Sequence, residues 1–260
     1  MNFKKIEVVF IFIFFFLDLF LFVNYRNGLK LQANSEKETT VNNAIKEMRK
    51  DNITVQETSE KKLQKGYLLS YSHKGNRPQV SQTNGVTFKP QKVNLTKPLI
   101  INNKNKIRVL KEFLQKNSQL PYSNDYVYEK RLSTSKQIIF AQKYKNELFY
   151  DLTGQISFEI RNDHVINYQV SHIDSLKSSK ETETIISEKE AILKLYTLNE
   201  IPNNTKILWQ KLAYSWMLET NNVSVYVPTW FIALQNKRTK SVNIEKINAF
   251  TGVLWKGSFN

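Results

Sequence analysis

The sequence has no cysteine, three histidines and seven glycines in 260 residues. Without cysteine there is no disulfide framework, no thiolate metal site, no cysteine nucleophile and no lipoprotein anchor. Three histidines and seven glycines leave little for imidazole chemistry or phosphate-binding loops. None of the spacings G-x-x-x-x-G-K-[ST], G-x-G-x-x-G, H-E-x-x-H or G-x-S-x-G occurs. The composition therefore speaks against an enzyme, and no cofactor is implied. Global disorder is excluded too, because hydrophobic residues make up 41% and charged residues 23%. The length suits one large domain or two small ones.

What is present is concentrated at the start. Eight of the 16 Phe fall in the first 22 residues. Val8 to Val23 holds sixteen residues with one charge, Asp18. Phe3 to Tyr25 would reach about 34 Å as a helix, enough for a hydrocarbon core of ~30 Å. A cleaved signal peptide would have a shorter apolar run and a small-residue cleavage site. This run instead leads into Asn24-Tyr25-Arg26, so an uncleaved anchor over 6–25 is expected. The short tail 1–5, with Lys4 and Lys5, is expected in the cytoplasm and the rest outside. Between Val8 and Val23 there is no Gly, Ala or Ser, so close small-residue packing is excluded. Phe10, Phe14, Asp18 and Leu21 are the candidate face toward partner helices, with Asp18 as its one polar contact.

The formal charge is +15. Residues 1–30 hold Lys4, Lys5, Arg26 and Lys30 against Glu7 and Asp18, a net of +2, which leaves +13 for 31–260. An exterior of that charge disfavours nucleic acid and suits weak, salt-sensitive binding to an anionic wall polymer.

Residues 31–65 carry seven Lys/Arg and six Asp/Glu with no aromatic, Gly or Pro. Val41, Ile45 and Met48 make one narrow helical stripe ending near Asp51-Asn52. Residues 26–65 therefore read as a juxtamembrane helix and stalk. Beyond them the pattern is α+β. Gly66 to His73 reads as a first strand, and 74–98 as loops and edge strands. A helix is expected over Asn102–Lys116, and another from Ser187, where Ser187 and Glu190 form a capping box. Antiparallel strands are expected at Tyr126–Leu132, Lys136–Tyr144, Glu147–Asp151, Gln155–Arg161 and His164–His172. After the second helix come Lys206–Leu218, Val223–Gln235, Ser241–Ala249 and Val253–Gly257.

These elements repeat. Ile100-Ile101-Asn102 opens one helix and Ile185-Ile186-Ser187 the other, 85 residues on, with Ile107 and Leu110 matching Ile192 and Leu195. Each strand set turns at a Thr-Gly pair, Thr153-Gly154 and Thr251-Gly252, where the Gly is expected to supply a positive φ. The expectation is two helix-plus-sheet units, 66–175 and 176–260, packed as separate layers.

His164 and His172 share a face of one expected strand, but ~26 Å of strand rise separates them, so they hold no common metal. His73 is expected near Gly75 and exposed. Asp163 and Asp174 beside the other two read as turn residues. Trp209, Trp216, Trp230 and Trp255 read as core of the second unit rather than a ligand platform.

The whole chain resembles one family. The residues that carry the likeness are the anchor FKKIEVVFIFIFFFLDLFLF, the run Lys50 to Ile53, the Val227-Pro228-x-Trp230 strand, and the Ile247-Asn248-Ala249-x-x-Gly252 turn. Together they look like the YycI (WalI) family, membrane-anchored regulators of the WalK/WalR (YycG/YycF) two-component system of low-GC Gram-positive bacteria. The resemblance implies a single-pass protein whose exterior is similar to YycH and PepSY-like domains. It implies a complex with a YycH-like protein and a sensor histidine kinase, formed partly through transmembrane helices, and it transfers no catalytic residue. The expected function is a non-enzymatic subunit that modulates the kinase and so cell-wall homeostasis. The alternative is a PepSY-like envelope module that binds a peptidase or an anionic wall ligand.

Overall fold

The computed structural model describes residues 43–71, 90–120, 122–220 and 223–255, the backbone of 80–82 and 86–88, and five helical positions, Phe14, Leu17, Asp18, Leu21 and Val41. The chain forms two compact units, 1–52 and 53–260.

In the first unit, residues 43–50 form helix α1. Ala44 and Met48 are its buried positions, and Val41 and Ile45 are half-buried, so the stripe lies slightly off the expected one. Asn52 ends the helix at φ 56, a left-handed position that asparagine tolerates. Among the described residues no helix is long and apolar enough to cross a membrane. The expected anchor over 6–25 lies outside the described residues apart from four helical positions.

The second unit is built around two large antiparallel sheets, together with two two-stranded ribbons. Its strands are β1 (Gln64–Lys65), β2 (Leu68–Tyr71), β3 (Val80–Gln82), β4 (Val86–Phe88) and β5 (Gln91–Ile100) before helix α2 (Lys106–Lys116). After α2 come β6 (Tyr126–Tyr128), β7 (Gln137–Tyr144), β8 (Glu147–Leu148), β9 (Gln155–Arg161), β10 (His164–Val170), β11 (Leu176–Ser178) and β12 (Glu183–Thr184). Helix α3 (Glu188–Thr197) and the long strands β13 (Thr205–Thr220), β14 (Val223–Asn236) and β15 (Val242–Asn248) complete it. The first sheet runs β5-β10-β9-β7-β6, with β8 on β7. The second runs β11-β2-β14-β13, with β15 on β14. The ribbons are β1-β12 and β3-β4.

Each sheet has its helix. Leu110 and Leu114 of α2 are buried against Phe140, Phe158 and Tyr168, the core of the first sheet. Ala191, Ile192 and Leu195 of α3 are buried, and α3 packs on β14. The two helices start differently, α3 on a capping box and α2 on Asn105, which makes no side-chain cap bond. Ser187 Oγ accepts from Glu190 N, while the Glu190 carboxylate accepts from Ser187 N at 2.9 Å. Eighty-five residues earlier, Asn102 Oδ1 accepts from Asn105 N, and Asn105 Oδ1 accepts from Asn102 N at 2.7 Å. The first pair is a capping box at α3; the second is reciprocal too but closes the turn 102–105 ahead of α2. The matched sequence starts therefore share a reciprocal side-chain pair but not the cap itself.

Several expectations need correction. The strand at Leu68–Tyr71, expected in the first unit, pairs with β14 and β11 in the second sheet. Its alternation of buried Leu68 and Ser70 with half-buried Leu69 fits the second sheet's core, in which Leu68 touches Phe149 and Tyr226. Residues 53–65, expected as stalk, belong to the second unit. Thr54 N donates to Thr205 O, Ile207 N donates to Thr54 O, and β1 pairs with β12. The layers are also not separately packed. Phe149, from the first sheet's side, is 5.2 Å ring to ring from Tyr226, and Tyr150 N donates to Tyr214 O. The expected last strand reduces to a bridge between Ile247 and Leu254.

The edge strands expected within 74–98 include β5, whose ten residues run on to Ile100. Only Val93, Leu95 and Leu99 of it are half-buried, among exposed Lys, Asn, Thr and Pro. It lies at the sheet margin, where Pro98 removes no needed donor. The two Thr-Gly turns also differ. Gly252 has φ +68, as expected, but Gly154 does not. Gly154 is needed for closeness instead: an added Cβ would lie 2.9 Å from Ile173 Cδ1 and 3.0 Å from Phe149 Cβ.

Candidate partner-binding surface

Phe14, Asp18 and Leu21 are helical, and with Leu17 they follow the i, i+3, i+4, i+7 spacing of one helix face. Phe14 is 55% and Leu21 54% exposed, and Asp18 is exposed as well. A helix face with three large apolar side chains and one carboxylate matches a neighbouring apolar helix carrying a hydrogen-bond donor. Phe10, the fourth candidate, lies outside the described residues.

The chemistry-bearing side chains of the second unit are scattered. His164 is half-buried, with Nδ1 2.6 Å from Asn162 O. His73 lies outside the described residues. Among the described residues no three His, Asp or Glu are placed to hold a metal. Of the four tryptophans expected in the core, Trp230 is buried with Nε1 donating to Ile186 O, and half-buried Trp209 and Trp216 pack on Tyr150 and Phe231 and on Phe149 and Tyr226, while Trp255 is half-buried at the end of the described chain.

The two motifs in 227–252 form one structural joint. Val227 and Ile247 are fully buried. Trp230 pairs with Ile247 across β14 and β15, and Ala249 N donates to Pro228 O. Ile186 N donates to Ala249 O, so both motifs grip the residue that precedes the α3 cap. Pro228 sits where the flank of β14 passes from β2 (paired to Tyr226) to β15 (paired from Thr229), so its missing N–H falls in a gap of the ladder.

A second joint holds the two sheets together, and the sequence reading missed its centre. Asp151 is 2% exposed. One carboxylate oxygen accepts from Thr153 N at 3.0 Å and from the Thr153 hydroxyl. The other accepts from Ser215 Oγ at 3.0 Å and from Trp216 N at 2.5 Å. Thr153 belongs to the turn that leads into β9 of the first sheet and Ser215 and Trp216 to β13 of the second, so one carboxylate joins both layers. The signal was legible in part, as an Asp two residues before a Thr-Gly pair reads as an Asx-turn. Its partners 64 and 65 residues away were not legible.

The connector Ser171–Ser175 between the sheets is clamped beside it. Gln142 accepts from Ile173 N and donates to Ile173 O, both at 2.8 Å. His172 stacks on Tyr122 with ring centroids 3.7 Å apart. Its Nδ1 is 3.1 Å from the Tyr126 hydroxyl, and its Nε2 is 3.3 Å from Asp174 and 3.9 Å from Asp125. Burial pushes the imidazole below its ordinary value, against the opposing pull of Asp174 and Asp125. Burial likewise raises the Tyr126 hydroxyl, which donates to Ser171 O.

The sequence profile of a family described as "YycI protein" matches residues 31–250. No curated protein matches the chain. Among solved structures, an uncharacterized protein from Eubacterium rectale is similar with 9% identity and a TM-score of 0.40, over 79% of this chain and 89% of that one. The YpeB C-terminal domain of Bacillus megaterium is similar with 15% identity and a TM-score of 0.38, over 68% and 73%.

Proposed function

The chain belongs to the YycI family, regulatory proteins associated with the membrane WalK/WalR two-component system, and from that premise we propose that it is a non-enzymatic subunit of a sensor kinase complex. In this reading it binds the kinase together with a YycH-like protein and sets kinase activity in response to the state of the wall. The N-terminus is cytoplasmic, residues 6–25 are the membrane anchor and the rest lies outside. The observation that carries the reading is the family match over 31–250. The geometry is consistent with a structural role for the family-bearing motifs in 227–252, because Val227, Trp230, Ile247 and Ala249 are buried in one joint.

The anchor takes part in recognition. Its face at Phe14, Asp18 and Leu21 is apolar with a single acceptor, and the partner helix supplies the donor. The test replaces residues 6–25 with an unrelated anchor of equal length at unchanged abundance. Co-capture of the kinase and YycH-like protein in mild detergent is expected to fall and kinase output to change. If neither moves, the helix is a tether only.

A further inference from the structure

We infer that the margin of the first sheet, between β5 and the end of α2, is a docking groove for an extended acidic segment of a protein. The groove has a volume of ≈360 Å³. Val93, Leu95 and Phe113 give it apolar walls, Tyr168 lies beneath, and Lys116 and Asn117 stand at its rim. Phe113 is only half-buried; it sits edge-on to Phe158 and Tyr168, at 6.0 and 5.7 Å, which fixes its ring. Asn117 Nδ2 donates to the Tyr168 hydroxyl at 3.2 Å and Asn117 Oδ1 accepts from Gln119 N at 3.0 Å, so the rim is pre-organised.

Three observations point to the occupant. The first is backbone availability. Among the described residues β5 pairs with β10 alone, so its outer edge presents unpaired N–H and C=O groups, as a strand-adding peptide requires. The second is an interruption in that edge. Five steps along β5, Asn94 to Leu99, lie opposite two along β10, Asn167 to Val165. The bulge throws Leu95 to Pro98 out of register and limits a regular ladder to Gln91–Asn94. An incoming segment can therefore pair over a short stretch and then must rely on side chains in the groove.

The third is charge. Residues 91–119 hold Lys92, Lys97, Lys104, Lys106, Arg108, Lys111 and Lys116 against Glu112 alone, a net of +6. Lys116 lines the groove and Lys97 adjoins Thr96 in its wall. A phosphate polymer would answer the charge but leave Val93, Leu95 and Phe113 without an apolar counterpart. A peptide with an aromatic or aliphatic side chain between carboxylates answers both. The inference goes beyond the kinase reading and does not need it, since it concerns only the surface and the chemistry that fits it.

The test pans a random-peptide phage library against the full-length protein in nanodiscs. Enriched sequences are expected to carry Asp or Glu on both sides of an apolar residue. A synthetic peptide of the enriched sequence is then titrated. Lys116→Glu is expected to weaken it by about tenfold and Thr96→Trp, which fills the groove, by at least as much. Lys180→Glu, an exposed lysine elsewhere, is expected to change binding by less than about twofold. Thermal melts check that each variant folds. Enrichment without acidic residues overturns the proposal. So does equal weakening by Lys116→Glu and Lys180→Glu, which would mean diffuse charge. Displacement by glycerol phosphate oligomers as effective as by unlabelled peptide overturns it as well, because the groove would then be a polyanion site.

Discussion

Four donors converge on the Asp151 carboxylate, two of them from its own turn and two from β13. Removing the carboxylate takes the acceptor from Ser215 Oγ, which is buried, and from Trp216 N, and leaving a buried donor unsatisfied costs more than the bond alone contributes. Asp151→Ala is expected to lower stability by roughly 3 kcal/mol, and the melting temperature of a unit this size by about 10 °C. A thermal melt of the variant checks it. His172 acts through pH. Its folded value lies below the ordinary 6.5, so the unfolded chain takes up the proton first as pH falls. Stability linked to this group is complete above that ordinary value and is lost as pH falls through it toward the folded value. In urea titrations between about pH 7 and pH 5, the wild type is expected to lose stability relative to His172→Gln. Parallel curves would mean that the imidazole is not protected by burial.

Elements in this protein are placed by local devices that recur. The reciprocal pair Ser187–Glu190 caps α3, and Asn102–Asn105, 85 residues earlier, closes the turn ahead of α2. If they are equivalent, Asn102→Ala and Ser187→Ala should each cost about 1 kcal/mol, and the double variant about their sum, since the pairs share no partner. Chemical denaturation of the three variants measures this. A negligible effect of Asn102→Ala would mean that α2 is positioned by its packing on Phe140 and Phe158 rather than by that turn. Helix and central-strand bounds were legible because period and capping are local. Gln155–Arg161 was expected at its observed bounds, and α2 and α3 end or begin within a few residues of expectation. β5 was legible only as an edge strand somewhere in 74–98 and not in its bounds, because three half-buried positions give too weak an alternation to mark where loop ends.

At the scale of the whole molecule, the second unit behaves as one body with two sheets. β2 and β11 flank the first sheet's strands in sequence yet complete the second sheet. Asp151, Phe149 and Tyr150 cross from one layer to the other. With so many groups shared, neither layer can lose its structure without exposing buried partners in the other. The unit 53–260 is therefore expected to unfold in one cooperative transition. Near-ultraviolet circular dichroism and hydrogen exchange on the full-length protein should report a single midpoint. Two separated transitions, with β5–β10 amides opening first, would show that the layers are independent.

The sequence by itself determined the class of this protein. The absence of cysteine, the scarcity of glycine and histidine, the Phe-rich N-terminus and the net positive charge of 31–260 are properties of composition, and no folding alters them. It also determined the α+β alternation and the duplicated helix starts, because capping pairs and hydrophobic periods act within a few residues. Tertiary structure alone decided which sheet each strand joins, since Leu68 would satisfy a core of either sheet by hydrophobicity and only Phe149, Tyr214 and Tyr226 select the second. It decided that Gly154 serves close packing where Gly252 serves a left-handed turn, as the same Thr-Gly pair carries no record of what approaches it. It decided as well that Asp151 is a joint between layers, because the donors that make it one come from β13, and long-range contacts leave no trace in local sequence.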